Sequence, residues 1–170
     1  MSDEPEVEIY SSKFLRLTTQ QRGEKVFDRV YIRDSVSVII LPSPRVIRFI
    51  KEESGYGGNP RLKLVSGYIE DDERASNAVQ RELKEELGLI AGYWNMFLLS
   101  ETPKEMVRKR RYYYTASDLV NCKSSPEEGE KILGYEDLSF EEVKERVLSL
   151  QFGTTETAFT LLKFVSEKGA

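Results

Sequence analysis

Residues 67–89 read GYIEDDERASNAVQRELKEELGL, and this stretch carries the most informative pattern in the chain. Its apolar residues recur at every fourth position, which predicts a helix with one packed stripe. The stripe consists of Ala75, Val79, Leu83 and Leu87. Asp71 or Asp72 is placed to cap the start of this helix. Gly88 is expected to end it, because glycine adopts the left-handed backbone conformation at little cost.

Three glutamates fall on one side of the predicted helix. At about 100° per residue, Glu82, Glu85 and Glu86 lie within an arc of roughly 100° beside the apolar stripe. Like charges at this spacing destabilise an isolated helix by about 0.2–0.5 kcal/mol per pair, and a bound dication would reverse that effect. Hard cations such as Mg²⁺ and Mn²⁺ prefer oxygen ligands. The pattern therefore predicts a divalent-metal site, with Arg81 placed to fix one carboxylate by charge-assisted hydrogen bonds.

The spacing of residues 67–89 resembles the Nudix box, GX5EX7REUXEEXGU, in which U is an aliphatic residue. Every specified position matches, including Gly67, Glu73 and the Arg81-Glu82 pair. At average residue frequencies, chance would give this pattern on the order of once in a million chains of this length. The alternative, an ordinary solvated acidic helix face, explains neither the glycines nor the aliphatic positions. The family resembled is the Nudix hydrolases, which cleave nucleoside diphosphates linked to another moiety.

The resemblance implies a role for each box residue. The implied metal ligands are the backbone carbonyl of Ser66 and the carboxylates of Glu82, Glu85 and Glu86. Arg81 would orient a glutamate, and Glu73 would mainly support the loop and the helix. The implied reaction is attack of a metal-activated water on a phosphorus of the pyrophosphate.

Composition narrows the remaining possibilities. The 170 residues suffice for one domain with a single core. The absence of histidine excludes any histidine-dependent mechanism, and the lone Cys122 excludes an internal disulfide and indicates a reducing, cytoplasmic compartment. The first residues are acidic and polar, so no secretory signal is expected, and no apolar run approaches the roughly 18 residues of a membrane span. A formal net charge of −4 argues against sequence-independent binding to duplex nucleic acid.

The element order predicts the fold class. Strands are expected at residues 6–18, 26–32, 35–41, 46–50 and 61–65 before the helix, and at 93–99 and 108–114 after it. Two further helices are expected, one over residues 140–150 with a Ser139–Glu142 capping box and one to about residue 165 capped by Thr154 or Thr155. This order predicts an α/β (α+β) chain, a Nudix-type α/β/α sandwich with a mixed sheet. Residues 1–34 would form an N-terminal region of antiparallel strands, and residues 35–170 the hydrolase domain.

Outside the box, the chain resembles the ADP-ribose pyrophosphatase branch of the family. VEIYSSKFLRLTT and VFDRVYIRDSVSVIIL are similar to its amino-terminal strands, which exchange between subunits, so the resemblance implies a homodimer. Pro103, 15 residues beyond Gly88, lies near the branch's marker proline and is followed by Glu105. Three glutamates lie where a loop of the branch supplies a further catalytic carboxylate: Glu127, Glu128 and Glu130. The choice among them stays open, with Glu128 as the central candidate.

Substrate binding is assigned to residues around the box. The cations of residues 108–111 precede three tyrosines and could hold phosphate and stack a base, or form an exposed edge strand. The candidate substrate-binding residues are Arg29, Pro103, Glu105 and Arg110. The branch usually carries Glu-Leu-Pro-Ala-Gly into the box, where this chain has Lys63-Leu64-Val65-Ser66-Gly67.

The sequence favours Mg²⁺- or Mn²⁺-dependent hydrolysis of a nucleoside diphosphate sugar, with ADP-ribose as the first candidate. ADP-ribose would give AMP and ribose 5-phosphate. One alternative is hydrolysis of another nucleotide pyrophosphate, such as a dinucleoside polyphosphate, NADH or an RNA 5′ end. The other is a non-catalytic, nucleotide-sensing Nudix module. In all three hypotheses the ligand is a small nucleotide or the 5′-terminal nucleotide of an RNA.

Overall fold

The computed structural model of the chain describes residues 5–53, 59–102, 106–125, 131–149, 151–152 and 154–169. In order, these residues form β1 (Val7–Ser11), β2 (Leu15–Arg22), β3 (Lys25–Ile32), β4 (Ser35–Ser43), β5 (Val46–Glu52), β6 (Arg61–Lys63), β7 (Val65–Tyr68), α1 (Ala75–Leu87), β8 (Leu89–Glu101), β9 (Val107–Arg108), β10 (Arg110–Asn121), β11 (Ile132–Ser139), α2 (Phe140–Leu148) and α3 (Thr155–Lys168). Strands, helix, strands and two helices follow one another as the sequence predicts.

The larger sheet is mixed. Its main strands lie in the order β11-β5-β4-β10-β8, with β6 paired to β5 and β7 paired to β4. β4 and β10 run parallel, with Ser35 opposite Arg111 and Ile40 opposite Ala116. The other pairings in this sheet are antiparallel. The mixed sheet expected from the sequence is confirmed.

Strand β4 lies at the centre of a three-layer structure. Val36, Val38 and Ile40 point to one face of the sheet, where they pack in a buried cluster with Val79 and Leu83 of α1. The alternate residues point to the other face, as the strand period of two requires. There Ile39 packs in a second buried cluster with residues of α2 and α3, such as Val143 and Leu161. The predicted α/β/α sandwich is therefore confirmed.

A smaller sheet precedes this sandwich. Its strands lie in the order β1-β2-β3-β9, and β9 pairs with β3 in parallel. The single strand predicted over residues 6–18 is wrong, because the chain turns between β1 and β2. At this turn Ser12 Oγ accepts hydrogen bonds from the backbone N–H groups of Phe14 and Leu15, each at 3.3 Å. Since β9 comes from later in the chain, the division at residues 34 and 35 stays a prediction.

The sequence predicts the end of helix α1 correctly but not the residue that caps its start. Its N-cap residue is Arg74, which makes no side-chain capping bond, so the predicted cap by Asp71 or Asp72 is wrong. Asp72 instead lies in the preceding turn with a φ of 62°. At the other end, Gly88 has φ 62° and ψ 42°, as predicted for the residue that ends the helix. A Cβ at Gly88 would also lie only 2.6 Å from the carbonyl oxygen of Cys122.

The two C-terminal helices start as predicted. Ser139 and Glu142 form the complete capping box of α2, and the Thr154 side chain accepts a hydrogen bond from the backbone N–H of Thr157 at the start of α3. Helix α2 ends at Leu148 rather than at residue 150. None of the helices in the described part of the chain is both long enough and apolar enough to cross a membrane.

Candidate active site

Arg81 joins the carboxylates of the acidic helix face. Its Nη1 donates to Glu82 Oε1 at 2.7 Å and to Glu85 Oε2 at 3.0 Å. Its Nε and Nη2 donate to the two carboxylate oxygens of Glu73 at 3.1 and 3.0 Å, and Nη2 also donates to the carbonyl of Tyr68 at 2.8 Å. A planar guanidinium with several fixed donors suits this task better than an ammonium. Arg81 therefore fixes the orientation of Glu82 and Glu85 on the helix.

The contacts within this network stabilise the charged forms of Arg81 and Glu73. Burial favours a lower pKa for Arg81, but its hydrogen bond to Glu73 and the charge of Glu82 outweigh burial and raise the pKa. Burial favours a higher pKa for Glu73, yet the hydrogen bonds from Arg81 and from the backbone of Glu70 lower it. The Glu73 carboxylate also receives the Glu70 N–H at 2.9 Å. Glu73 thus anchors both Arg81 and the turn that precedes α1.

Glu86 lies deeper than the other box glutamates. Its side chain is fully buried, and its Oε1 accepts a hydrogen bond from Lys63 Nζ at 3.3 Å. The same ammonium lies 2.8 Å from Glu52 Oε1. Burial favours a lower pKa for Lys63, but the charge of Glu86 and the hydrogen bond to Glu52 raise it. Lys63 is therefore a cation next to the most buried carboxylate of the box.

Gly67 allows a close approach between β7 and the side chain of Glu82. In the sheet Gly67 lies opposite Val36, and Ser66 lies opposite Ser37. A Cβ at Gly67 would overlap the Glu82 carboxylate and would lie 2.5 Å even from its farther oxygen. Glycine leaves room for the carboxylate in this position, and a larger side chain would displace it. The backbone next to Ser66, the implied carbonyl ligand, is thereby in contact with a box glutamate.

The donor set suits a hard divalent cation. Around α1 the candidate ligands are the oxygens of three glutamates and of the Ser66 carbonyl, which is the chemistry that Mg²⁺ and Mn²⁺ prefer. Two of these carboxylates, Glu82 and Glu86, are buried and have protein cations next to them. Among the described residues no three acidic, cysteine or histidine side chains converge tightly enough to enclose an ion. Arg81 and Lys63 are cations that offset the charge of these carboxylates.

A cavity of about 830 Å³ adjoins this site. Lys63 and Ser66 form part of its wall, and Lys63 contacts Glu86, although no box glutamate lines the cavity itself. The charged side chains that line it are the cations Lys51, Arg61, Lys63, Arg111 and Arg146 and the carboxylates Glu52 and Glu136. The excess of cations gives the cavity a net positive charge, and its volume falls in the usual range for small-molecule sites, about 300–1,000 Å³.

The structure places the predicted substrate-binding arginines outside this cavity. Arg29 lies on β3 and pairs with Glu6 at 3.1 Å. Hydrogen bonds from Thr18, Tyr31 and Arg29 lower the pKa of Glu6 to about 2, although burial opposes them. Arg110 pairs with Asp34 at 2.7 Å. Three other candidates, Pro103, Glu105 and Glu128, lie outside the described residues.

Sequence reasoning missed the cations that line the cavity. Arg111 follows Arg110 on β10, and successive strand residues point to opposite faces, so one lines the cavity and the other pairs with Asp34. Because strand residues alternate between the two faces of a sheet, the sequence alone could have assigned Arg110 and Arg111 to opposite faces of β10. Lys63 was visible as a departure from the family's Glu-Leu-Pro-Ala-Gly segment, but its contact with Glu86 joins residues 23 positions apart.

A family model described as the NUDIX domain matches residues 11–156 of the chain, which include the whole box and both strands that flank it. The chain belongs to the Nudix family. Helix α1, the Nudix helix, therefore carries the box glutamates in the register that the family pattern specifies.

Solved structures agree on the fold of this Nudix chain. The crystal structure of an ADP compounds hydrolase superposes with a TM-score of 0.78, covering 99% of this chain and 95% of that one. The two sequences are 16% identical, so the match shows a common fold. A search of curated proteins finds no significant sequence match.

Proposed function

We propose that this Nudix hydrolase cleaves the pyrophosphate bond of a nucleoside diphosphate sugar in a reaction that depends on Mg²⁺ or Mn²⁺, with ADP-ribose as the first candidate. The observation that carries the proposal is the net-positive cavity lined by Ser66 and by Lys63, the cation that contacts Glu86. An anionic substrate in this cavity would bring its phosphates next to the box glutamates. The similar fold of an ADP compounds hydrolase and the resemblance to the ADP-ribose pyrophosphatase branch support the choice of substrate.

The chemistry follows from the groups around the Nudix helix. Glu82, Glu85, Glu86 and the Ser66 carbonyl would hold the metal. When bound, a divalent cation supplies activation of a water and neutralisation of charge on the phosphates. A water oxygen forms a bond to one phosphorus, the bridging P–O bond breaks, and the water proton not retained on the new phosphate passes to solvent. ADP-ribose would give AMP and ribose 5-phosphate.

The protein contributes positioning and charge. Arg81 keeps Glu82 and Glu85 oriented through 2.7 and 3.0 Å hydrogen bonds. In the cavity wall, Lys63 lies three positions before Ser66 in the chain, and Arg111 contacts the central strand β4, where its Nε donates to Ser35 Oγ at 3.1 Å. Phosphate oxygens form strong, charge-assisted hydrogen bonds with such groups. These residues bind the anionic part of the substrate while the glutamates act on the pyrophosphate.

A substrate panel tests the proposal. We expect release of two phosphate monoesters from ADP-ribose in the presence of Mg²⁺ or Mn²⁺, and none after chelation. The products are measured as inorganic phosphate after treatment with a phosphatase that does not attack the intact pyrophosphate. The panel also contains UDP- and GDP-sugars, a dinucleoside polyphosphate, NADH and 5′-triphosphorylated RNA. Specificity is defined by catalytic efficiency. If kcat/KM for one of these compounds exceeds that for ADP-ribose by about tenfold or more, that compound replaces ADP-ribose as the proposed substrate.

Inertness towards the whole panel would contradict catalysis itself. Nucleotide binding without turnover would then support the non-catalytic, nucleotide-sensing alternative. That alternative is disfavoured because the chain retains Glu82, Glu85 and Glu86 together with Arg81, the groups that only catalysis requires as a set.

We also propose that the chain forms a homodimer through β1, β2 and β3. These strands expose large apolar side chains, and exposed apolar patches on soluble proteins often mark interfaces. The exposed residues of the strands are Val7, Ile9, Tyr10, Leu15, Val26 and Phe27, and Phe14 is exposed in the turn between β1 and β2. Burying them against a second copy would remove this apolar surface from water.

Sedimentation velocity tests the dimer. We expect the wild-type chain to sediment as a dimer and the Ile9→Lys/Val26→Lys variant as a monomer, since both side chains are more than half exposed and charge at an apolar interface is costly. Leu148→Lys serves as the control, because Leu148 is 75% exposed on α2 and belongs to no strand of the small sheet. A monomeric wild-type chain, or a dimeric double variant, would contradict this interface.

A further inference from the structure

Lys63 contacts two carboxylates whose surroundings differ. Its Nζ lies 2.8 Å from Glu52 Oε1 and 3.3 Å from Glu86 Oε1. The Glu52 side chain is 27% exposed, whereas the Glu86 side chain is fully buried. In the pairing of β5 with β6, Ile50 lies opposite Lys63, so Glu52 and Lys63 are diagonal neighbours within reach of each other. One ammonium thus connects an accessible carboxylate on the sheet with a buried carboxylate on the Nudix helix.

Breaking the contact of Lys63 with Glu86 costs more free energy than breaking its contact with Glu52. A buried carboxylate that loses its counter-charge is strongly destabilised, so Glu86 needs a cation next to it. Glu52 lies at the edge of the cavity, where water replaces part of any lost interaction. Lysine is a compact point charge on a flexible stem, which lets it exchange partners more easily than arginine does. The ammonium can therefore leave Glu86 at little cost only when another cation arrives there.

We propose that Lys63 is a resident counter-ion of Glu86, which competes with the divalent cation and transfers to Glu52 when the metal binds. The inference rests on the proposed function, in which Glu86 is a metal ligand. Lys63 would stabilise the metal-free protein and lower its affinity for the metal, and Glu52 would lower the cost of the exchange. Lys63 is thus a positioning residue that acts through Glu86, and it releases a positive charge into the cavity where the phosphates bind.

The test measures Mn²⁺ binding to the full chain without nucleotide, from the electron paramagnetic resonance signal of free Mn²⁺. Lys63→Met is expected to tighten the Kd about tenfold, because a unit charge next to the ligand no longer opposes the ion. The same variant should unfold at a lower temperature than wild type without metal, and should gain more thermal stability than wild type from Mn²⁺. Lys63→Gln, which keeps a hydrogen-bond donor, should tighten the Kd in the same direction.

Glu52→Gln should have the opposite effect. Without Glu52 the ammonium has no second carboxylate and stays on Glu86, so the Kd for Mn²⁺ should weaken. In the Lys63→Met background this effect of Glu52→Gln should largely disappear, as expected for two residues that act as a unit. Lys51→Met is the matched control for metal affinity, because Lys51 lines the same cavity but pairs with Glu136 at 3.0 Å. Its Kd should stay within about twofold of wild type.

The outcomes separate this inference from the proposed function. If Glu86→Gln leaves the Mn²⁺ affinity unchanged, Glu86 is not a ligand, and both its place in the metal site and the role of Lys63 are overturned. If Glu86→Gln weakens binding but Lys63→Met leaves it unchanged or weakens it, only the role of Lys63 is overturned. Equal weakening by Glu52→Gln in both backgrounds would show that Glu52 acts directly on the ion, and would also overturn the exchange.

Discussion

Glu86→Gln is expected to lower turnover by about a hundredfold or more while the fold is retained. The substitution keeps the shape of the side chain and removes only its negative charge. Glu86 is fully buried and contacts Lys63 at 3.3 Å, so its carboxylate is already oriented by the protein. A neutral amide is a poor ligand for a hard divalent cation, and the metal would lose the most enclosed of its predicted ligands.

The loss should appear in kcat and in Mn²⁺ affinity rather than in the fold. The amide oxygen can still accept the hydrogen bond from Lys63, so the unfolding temperature should change by about 5 °C at most. Glu145→Gln is the control, because Glu145 is exposed on α2, which packs on the opposite face of the sheet from the Nudix helix. Near-wild-type turnover in Glu86→Gln would remove Glu86 from the metal site and leave Glu82 and Glu85 as its carboxylates.

Local periodicity explains why most of the fold could be predicted from the sequence. The stripe of Val79 and Leu83 determines which face of α1 packs on the sheet, and alternation along β4 places residues such as Val38 and Ile39 on opposite faces. Gly88 ends α1 because glycine adopts the left-handed conformation of the helix end at little cost. Each of these features depends on residues a few positions apart, and such features are visible in a single sequence.

The features that could not be predicted depend on distant partners. The cap of α1 is absent because Glu73 is held by Arg81 and by the backbone of Glu70, and the turn that results excludes Asp72 from the capping position. The ion pair of Arg29, a predicted substrate-binding residue, is another example, because its partner Glu6 lies 23 residues away in the chain. Neither contact has a signature in spacing or composition. The same holds for Lys63, whose identity departs from the family pattern but whose partners only the fold reveals.

In the candidate site, too, some residues can be identified from a short stretch of sequence and others only from the fold. Family spacing gives the positions of Glu82, Glu85 and Glu86, and the helix places them near one another. It also gives Arg81, which adjoins Glu82 in the chain, but it does not give Lys63, which belongs to β6 and contacts Glu86. The candidate metal ligands of the Nudix box are therefore visible in a short stretch of sequence. The contact of Lys63 with Glu86 and the cavity beside it depend on the packing of α1 against the sheet.

Gly67→Ala is expected to lower turnover by about tenfold to a hundredfold with almost no change in stability. The backbone of Gly67 is not in the left-handed region, so alanine adds no backbone strain there. The added Cβ would overlap the carboxylate of Glu82, which must therefore move. A displacement of about 1 Å in a catalytic group can cost roughly a hundredfold in rate. The carboxylate would also lose its 2.7 Å hydrogen bond from Arg81, the interaction that orients it.

Stability should be nearly unchanged because two small effects oppose each other. Glu82 ends in a flexible side chain that can move aside, whereas alanine restricts the unfolded chain and gains about 0.4–1 kcal/mol at a compatible position. Measurement of kcat, Mn²⁺ affinity and the unfolding temperature together tests this expectation. Gly92→Ala is the control, since Gly92 is exposed on β8 and its Cβ would approach Asp118 no closer than 3.1 Å. Wild-type turnover in Gly67→Ala would mean that the position of Glu82 against β7 is not the one used in catalysis. A loss of turnover together with a large loss of stability would assign Gly67 a role in folding instead.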